Sequence, residues 1–146
     1  MLIKPGEGVG EFYLSKTTLK KIKSQLGKGE IEKLKWHAPH CGMTYPYYKL
    51  VYADKGISFT LYKKEVKQSD KFETIQLTEK FNAQTETQIS IGRSTRSDIH
   101  KAYGQPTNKD TENYISYDNL GISFEFLNSK NLPTDTVTTI NIFSKE

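Results

Sequence analysis

The feature that most constrains the fold is a pattern written twice. The run FYLSKTTLKKIKSQLG, from Phe12 to Gly27, aligns with ISIGRSTRSDIHKAYG, from Ile89 to Gly104, at a shift of 77 positions. Phe12 falls on Ile89, Leu14 on Ile91, Thr17 on Ser94, Ile22 on Ile99 and Gly27 on Gly104, so each match keeps its chemical type. Downstream, YADKGISFTLYK (Tyr52 to Lys63) aligns with YDNLGISFEFLN (Tyr117 to Asn128) at a shift of 65, which leaves 12 extra residues in the first copy. Such self-similarity asks each copy to fold as the same supersecondary unit.

Read physically, each copy opens on a period-two apolar pair (Phe12 and Leu14; Ile89 and Ile91), the signature of a half-buried strand. A helix start follows. Thr17 or Thr18 caps the first helix, and Ser94 or Thr95 the second, with Asp98 three residues after Thr95 in a capping-box position. Leu19, Ile22 and Leu26 fall on one helical face, as do Ile99, Ala102 and Tyr103. Gly27 and Gly104 stop the helices, and Pro106 prevents the second from resuming. Three strands are then predicted in each copy: Tyr48–Tyr52, Ile57–Tyr62 and Phe72–Leu77, matched by Tyr114–Tyr117, Ile122–Leu127 and Val137–Phe143. The turns ADKG and DNLG make hairpins of the first two in each set. The predicted fold class is therefore α+β: two tandem repeats, residues 1–80 and 81–146, each a strand and helix followed by three antiparallel strands. The helix packs on one face of each sheet, the other face is left open, and both repeats join in one body.

Composition excludes several classes. With 146 residues, 35% hydrophobic and 26% charged, the chain has no run approaching the roughly 18 apolar residues of a membrane span. MLIKPGEGVG turns to Pro and Gly after two apolar residues and shows no secretory leader, which places the protein in the cytoplasm; a trimmed leader would make it periplasmic or a surface lipoprotein. One cysteine, Cys41, excludes an internal disulfide framework. Residues 1–80 carry 15 Lys+Arg against 9 Asp+Glu (+6), and residues 81–146 carry 6 against 8 (−2), which recovers the overall +4. An acidic partner suits the first half, as does a plain solvated lysine surface.

The runs PGEGVGEFYL, ISIGRSTRSDIHKAYGQP and YDNLGISFEF resemble a group of small bacterial tandem-repeat proteins. Their repeats run G-I-x-I-G-x-S, then D/E-[IV], then Y/L-G-x-P, then G-I-x-F. These are similar in layout to the beta-lactamase-inhibitory-protein fold and to small lipoproteins of outer-membrane assembly. The resemblance covers about residues 5 to 143. Ser15 departs from it by standing where the second copy has Gly92, and LGKGE lacks the proline of YGQP. The resemblance implies a protein that works by binding other proteins, most concretely an immunity or inhibitor protein that occludes a toxin or enzyme. An envelope scaffold or assembly factor is the alternative it leaves; a second alternative, nucleic-acid binding, rests on the lysine clusters below and not on the resemblance.

The candidate sites lie mainly in KLKWHAPHCGMTYPYYKL, Lys33 to Leu50, predicted as a long loop of the first copy. Trp36, Tyr45, Tyr47 and Tyr48, with His37, supply the large rigid side chains that dominate interfaces. The alternative is that they fold back as a small satellite core. His37, His40 and Cys41 offer three donors where structural zinc takes four with paired spacing, so no metal or other cofactor is expected and Cys41 reads as a small buried thiol. Lys16, Lys20 and Lys23 form a basic patch on the first helix, and Lys63, Lys64 and Lys67 crowd a strand end. Interspersed acids and the absence of a base-reading motif disfavour a nucleic-acid partner. The glycines of PGEGVGEF precede a strand rather than a helix and do not make a phosphate cradle. No nucleophile elbow, zinc-protease helix or dinucleotide fingerprint appears, and the pair Glu30 and Glu32 falls in a polar stretch, so no catalytic residue is expected and the chain is not read as an enzyme.

Overall fold

The computed structural model describes residues 1–106, 109–127 and 131–146, so Asn128, the last residue of the second GISF stretch, lies outside the described residues. Its two helices are set by their caps. In α1 (Leu19–Leu26) the Thr18 hydroxyl accepts the Lys21 N–H, and the chain stops at Gly27, whose own N–H bonds the Lys23 carbonyl. In α2 (Arg96–Tyr103) the box is complete: Thr95 accepts from the Asp98 N–H while the Asp98 carboxylate accepts from the Thr95 N–H. The Thr95 N–H and, after it, the Thr95 hydroxyl both donate to the Asp98 carboxylate and hold it below its ordinary range. Helices of eight residues are too short to stand alone, so both depend on what they pack against.

The strands run β1 (Leu2–Lys4), β2 (Gly8–Val9) and β3 (Phe12–Tyr13), then, after α1, β4 (Glu30–His37), β5 (Thr44–Tyr52), β6 (Ile57–Leu61), β7 (Thr74–Thr78) and β8 (Gln84–Thr85). After α2 come β9 (Lys109–Thr111), β10 (Tyr114–Tyr117), β11 (Ile122–Glu125) and β12 (Thr139–Phe143). One antiparallel sheet takes eight of them in the order β4-β5-β6-β7-β12-β11-β10-β9, and a small second sheet takes β3-β2-β1-β8.

This overturns the predicted fold class. The chain is mostly β, with two short helices, and its strands do not form two separate three-stranded sheets each under its own helix. Each half supplies four strands, and β7 and β12 pair antiparallel at the middle, with Ile75 opposite Ile142 and Leu77 opposite Ile140. The physical reason lies in those side chains: an edge strand with fully buried isoleucine and leucine has to be covered, and pairing the two edges covers both.

Alternation then divides the large sheet into two faces. One carries Leu50, Tyr52, Ile57, Phe59, Leu61, Ile75, Leu77, Ile140, Ile142, Ile122, Phe124, Ile115 and Tyr117, all buried. Helices and small sheet close over it: Leu19, Ile22, Ile99, Ile3, Val9 and Phe12 belong to the same core, with the Phe12 ring edge-on to Phe59 at 5.3 Å and the Tyr103 ring stacked on Phe124 at 5.9 Å. That core runs through both halves of the chain.

Equivalent tyrosines tie each helix end to this face. Tyr52 Oη donates to the Gly27 carbonyl at 2.8 Å, and Tyr117 Oη donates to the Gly104 carbonyl at 2.7 Å. Burial pushes the Tyr117 phenol up to about 12. A raised acid favours the neutral fold, so this stability is fully present below the unfolded tyrosine value near 10 and is lost as pH rises through about 12. Tyr117→Phe should cost about 1 kcal/mol at neutral pH and flatten the alkaline limb of stability between those values, read by urea titration across pH.

Among the residues at positive φ, two bear on how the copies differ and how the N-terminal turn fits. At Gly121 (φ 73°) an added Cβ would lie 2.2 Å from the Phe143 carbonyl oxygen and 2.6 Å from Gly6 Cα, because the N-terminal turn crosses there and Gly6 N–H bonds the Gly121 carbonyl. Ser15 keeps φ 56°, matching Gly92 at φ 79°, so the first copy retains the backbone and has lost the residue that adopts it without strain. Ser15→Gly should therefore stabilise the protein, by about 0.5–1 kcal/mol in a denaturant titration.

Candidate functional site

The second face of the large sheet lies away from the helices and is polar along most of its width, with Ser58, Ser116 and Ser123 buried among their neighbours. One row crosses it as Val51, Ser58, Gln76, Asn141, Ser123 and Ser116. Its side chains are hydrogen-bonded in series: Lys49 Nζ donates to Gln76 Oε1 (2.9 Å), Gln76 Nε2 to Asn141 Oδ1 (3.1 Å), and Asn141 Nδ2 to Ser123 Oγ (3.3 Å) and Glu125 Oε2 (3.2 Å). The series spans the β7–β12 junction, so the join is stitched on its polar side as well as its apolar one.

At one end this face becomes aromatic. The stretch predicted as a loop is instead a long hairpin, β4 paired with β5 from Glu30↔Val51 to His37↔Thr44, and the turn is confined to Ala38–Met43. Residues opposite one another in an antiparallel pair point to the same face, so Trp36, Tyr45 and Tyr47 share the open face with Lys49, Thr60 and Tyr62. The Trp36 and Tyr45 rings stack with centroids 5.7 Å apart, and Tyr47 meets Tyr62 at 5.9 Å. Trp36, Tyr47, Lys49, Thr60 and Tyr62 line a cleft of about 480 Å³. Trp36 is 54% exposed and Tyr62 58%, which decides between the two readings of these aromatics: they make an outward platform and not a satellite core.

The other sequence-selected residues scatter. Tyr48 points to the opposite face, where its hydroxyl donates to the Lys64 carbonyl at 2.7 Å, and His37 shares that side, its Nδ1 3.2 Å from Thr44 Oγ1. The structure therefore groups Trp36, Tyr45 and Tyr47 and separates Tyr48 and His37 from them. Cys41 is exposed in the hairpin turn, which corrects its reading as a buried thiol. Among the described residues no group of three or more His, Cys, Asp and Glu could hold a metal ion. Glu30 and Glu32 lie in a strand and not in a loop. Lys16 and Lys20 are exposed and Lys23 is half-buried on the helix side of the molecule. Lys63 is not free: its ammonium bonds Asp70 at 2.5 Å, and that bond is the first cause holding the Asp70 carboxyl below its usual range. No helix of the described structure is long and apolar enough to cross a membrane.

Sequence reasoning missed Tyr62, Lys49, Thr60 and the Gln76–Asn141 series. The signal was present in alternation, since Ser58, Thr60 and Tyr62 share one parity in ISFTLY, but their neighbours were fixed only by cross-strand register. A second cluster ties α2 to the β9 edge: Arg96 bonds Asp110 Oδ1 at 2.5 Å and the Thr111 and Glu112 carbonyls, lies 3.6 Å from Asp135 Oδ1, and covers the Phe126 ring at 4.5 Å, while His100 Nε2 lies 3.3 Å from Asp110 Oδ2. Arg96 and Asp110 are mutually paired there, which makes the cluster a structural clasp, while His100 Nε2 is buried near Asp110 without a hydrogen bond.

No protein-family model matches the chain, and no curated protein matches it. Among solved structures the chain is similar to the crystal structure of the uncharacterized protein yfeY from Escherichia coli, with a TM-score of 0.55 and 16% identity over 95% of this chain and 97% of that one. At that identity the likeness is one of fold, carried across nearly the whole of both chains.

Trp36 and Tyr62 are more than half exposed and Tyr47 is half-buried, so the aromatic platform contributes little to folding. Combined Trp36→Ala, Tyr47→Ala and Tyr62→Ala should leave far-UV circular dichroism unchanged and lower stability by no more than about 1–2 kcal/mol, against roughly 3–5 for the single core change Phe59→Ala.

Proposed function

We propose that this chain is a protein-binding module, and most concretely an immunity or inhibitor protein that neutralises a toxin or enzyme by occluding it with the open sheet face. The observation that carries the reading is the platform of exposed Trp36, Tyr45 and Tyr62 with half-buried Tyr47, set at a cleft and beside a hydrogen-bonded polar row. Tyrosine and tryptophan give large contact area at low entropic cost, and hot spots are enriched in them. The resemblance of the repeats to bacterial tandem-repeat proteins that bind other proteins supports the same reading. Charge narrows the target: proteins that block nucleases by imitating nucleic acid present acidic surfaces, whereas a first half at +6 suits an acidic partner.

The test is affinity capture from the native host, with the tagged wild type beside the Trp36→Ala, Tyr47→Ala, Tyr62→Ala variant and bound proteins identified by mass spectrometry. One abundant partner should be retained by the wild type, and its measured affinity should fall at least about thirtyfold in the variant, the scale of losing a hot spot. An identical partner profile with identical affinities in both proteins would remove the platform from recognition and the reading with it.

A further inference from the structure

Strand β4 forms one edge of the large sheet. It pairs with β5 on one side and, among the described residues, with no strand on the other. It is eight residues long, and seven of the eight are exposed, so both its backbone edge and its side chains face solvent. The opposite edge is different in kind: β9 has three residues and is clasped from the helix side by Arg96. A long free edge offers a row of N–H and C=O groups on which another strand can form.

A second copy of the chain is the wrong occupant. Two identical antiparallel edges related by a two-fold axis must pair residues of like parity, so that the open faces stay on one side. Centring that pairing on Glu32 opposes Glu32 to itself, on Lys33 opposes Lys33 to itself, on Leu34 opposes Lys33 to Lys35, and on Lys35 opposes Lys35 to itself. Like charges directly opposite each other destabilise an antiparallel pair.

The side chains of β4 specify a different strand. On the helix side of the sheet it shows Ile31, Lys33, Lys35 and His37, and none of these three basic residues is ion-paired among the described residues. On the open side Leu34 and Trp36 extend the aromatic cleft to the free edge, with Glu30 and Glu32 further back along the strand. We propose that β4 binds an extended protein segment that alternates acidic and apolar residues, adding it to the sheet as a further strand. Its acidic residues lie against Lys33 and Lys35, and its apolar ones against Leu34 and Trp36. Main-chain pairing supplies affinity and the alternate side chains supply selectivity. This rests on the protein-binding reading above and names the part of the partner that is held.

The probe is a synthetic eight-residue peptide alternating glutamate and valine, titrated onto the full chain. Trp36, the only tryptophan, lies on the strand in question and reports binding by its emission. The expected result is a saturable change with the glutamate–valine peptide and at least about tenfold weaker binding of two controls, a lysine–valine peptide and a glutamate–valine peptide N-methylated at alternate residues. The double variant Lys33→Glu, Lys35→Glu, at two exposed positions, should reverse the charge preference. No saturable change up to about 1 mM peptide, or binding indifferent to N-methylation or to charge, overturns the proposal. Failure here is separable from failure of the protein-binding reading: a captured partner lost with the aromatic variant but retained by Lys33→Glu, Lys35→Glu leaves the platform standing and removes the edge.

Discussion

The pairing of β7 with β12 is the constraint on which the rest of this molecule depends. It joins Thr74–Thr78 to Thr139–Phe143, placing Ile75 and Leu77 against Ile142 and Ile140, none of them accessible to solvent. Without it each half would end in an apolar edge strand that water cannot solvate and that invites other chains. With it eight strands share one core and one open face. On that face Gln76 donates to Asn141 across the join.

The local elements were the legible part of the fold. Thr18 and Thr95, with Gly27 and Gly104, delimit both helices because capping is a contact between near neighbours, readable at a distance of three or four residues. The GISF strands were legible for the same reason, being short alternating runs beside a glycine turn. What escaped was the number of strands and how they meet. Glu30–His37 reads as polar loop because neither of its faces is buried, so no alternation of burial marks it, and Lys109–Thr111 is three exposed residues long. The β7–β12 pairing joins Gln76 to Asn141, residues far apart in the chain whose identities carry no sign of one another.

The site shows the same division. Residue type alone singled out Trp36, Tyr45 and Tyr47, and the structure brings these three onto one face. Tyr48 and His37 were grouped with them wrongly because a loop has no faces, whereas a strand sends neighbours to opposite sides. Tyr62 and Lys49 complete the cleft through register, which the sequence of either strand does not state. Of the lysines that sequence placed on the first helix, Lys20 and Lys23 lie in α1 and Lys16 lies in the turn before it, while Lys63 proved to be committed to Asp70.

The parallel pairing of β1 with β8 bears on how the chain reaches this state. Leu2 pairs with Gln84 and Ile3 with Thr85, and the turn after β1 is held by Gly121. Hairpins such as β1–β2, β5–β6 and β10–β11 close over a few residues, but the β1–β8 pair joins residues some eighty apart, and closing so long a loop carries an entropic cost before any contact repays it. Ile3 is fully buried only in the finished core, so its burial is coupled to that long-range closure, which makes the small sheet one of the fold's non-local contacts.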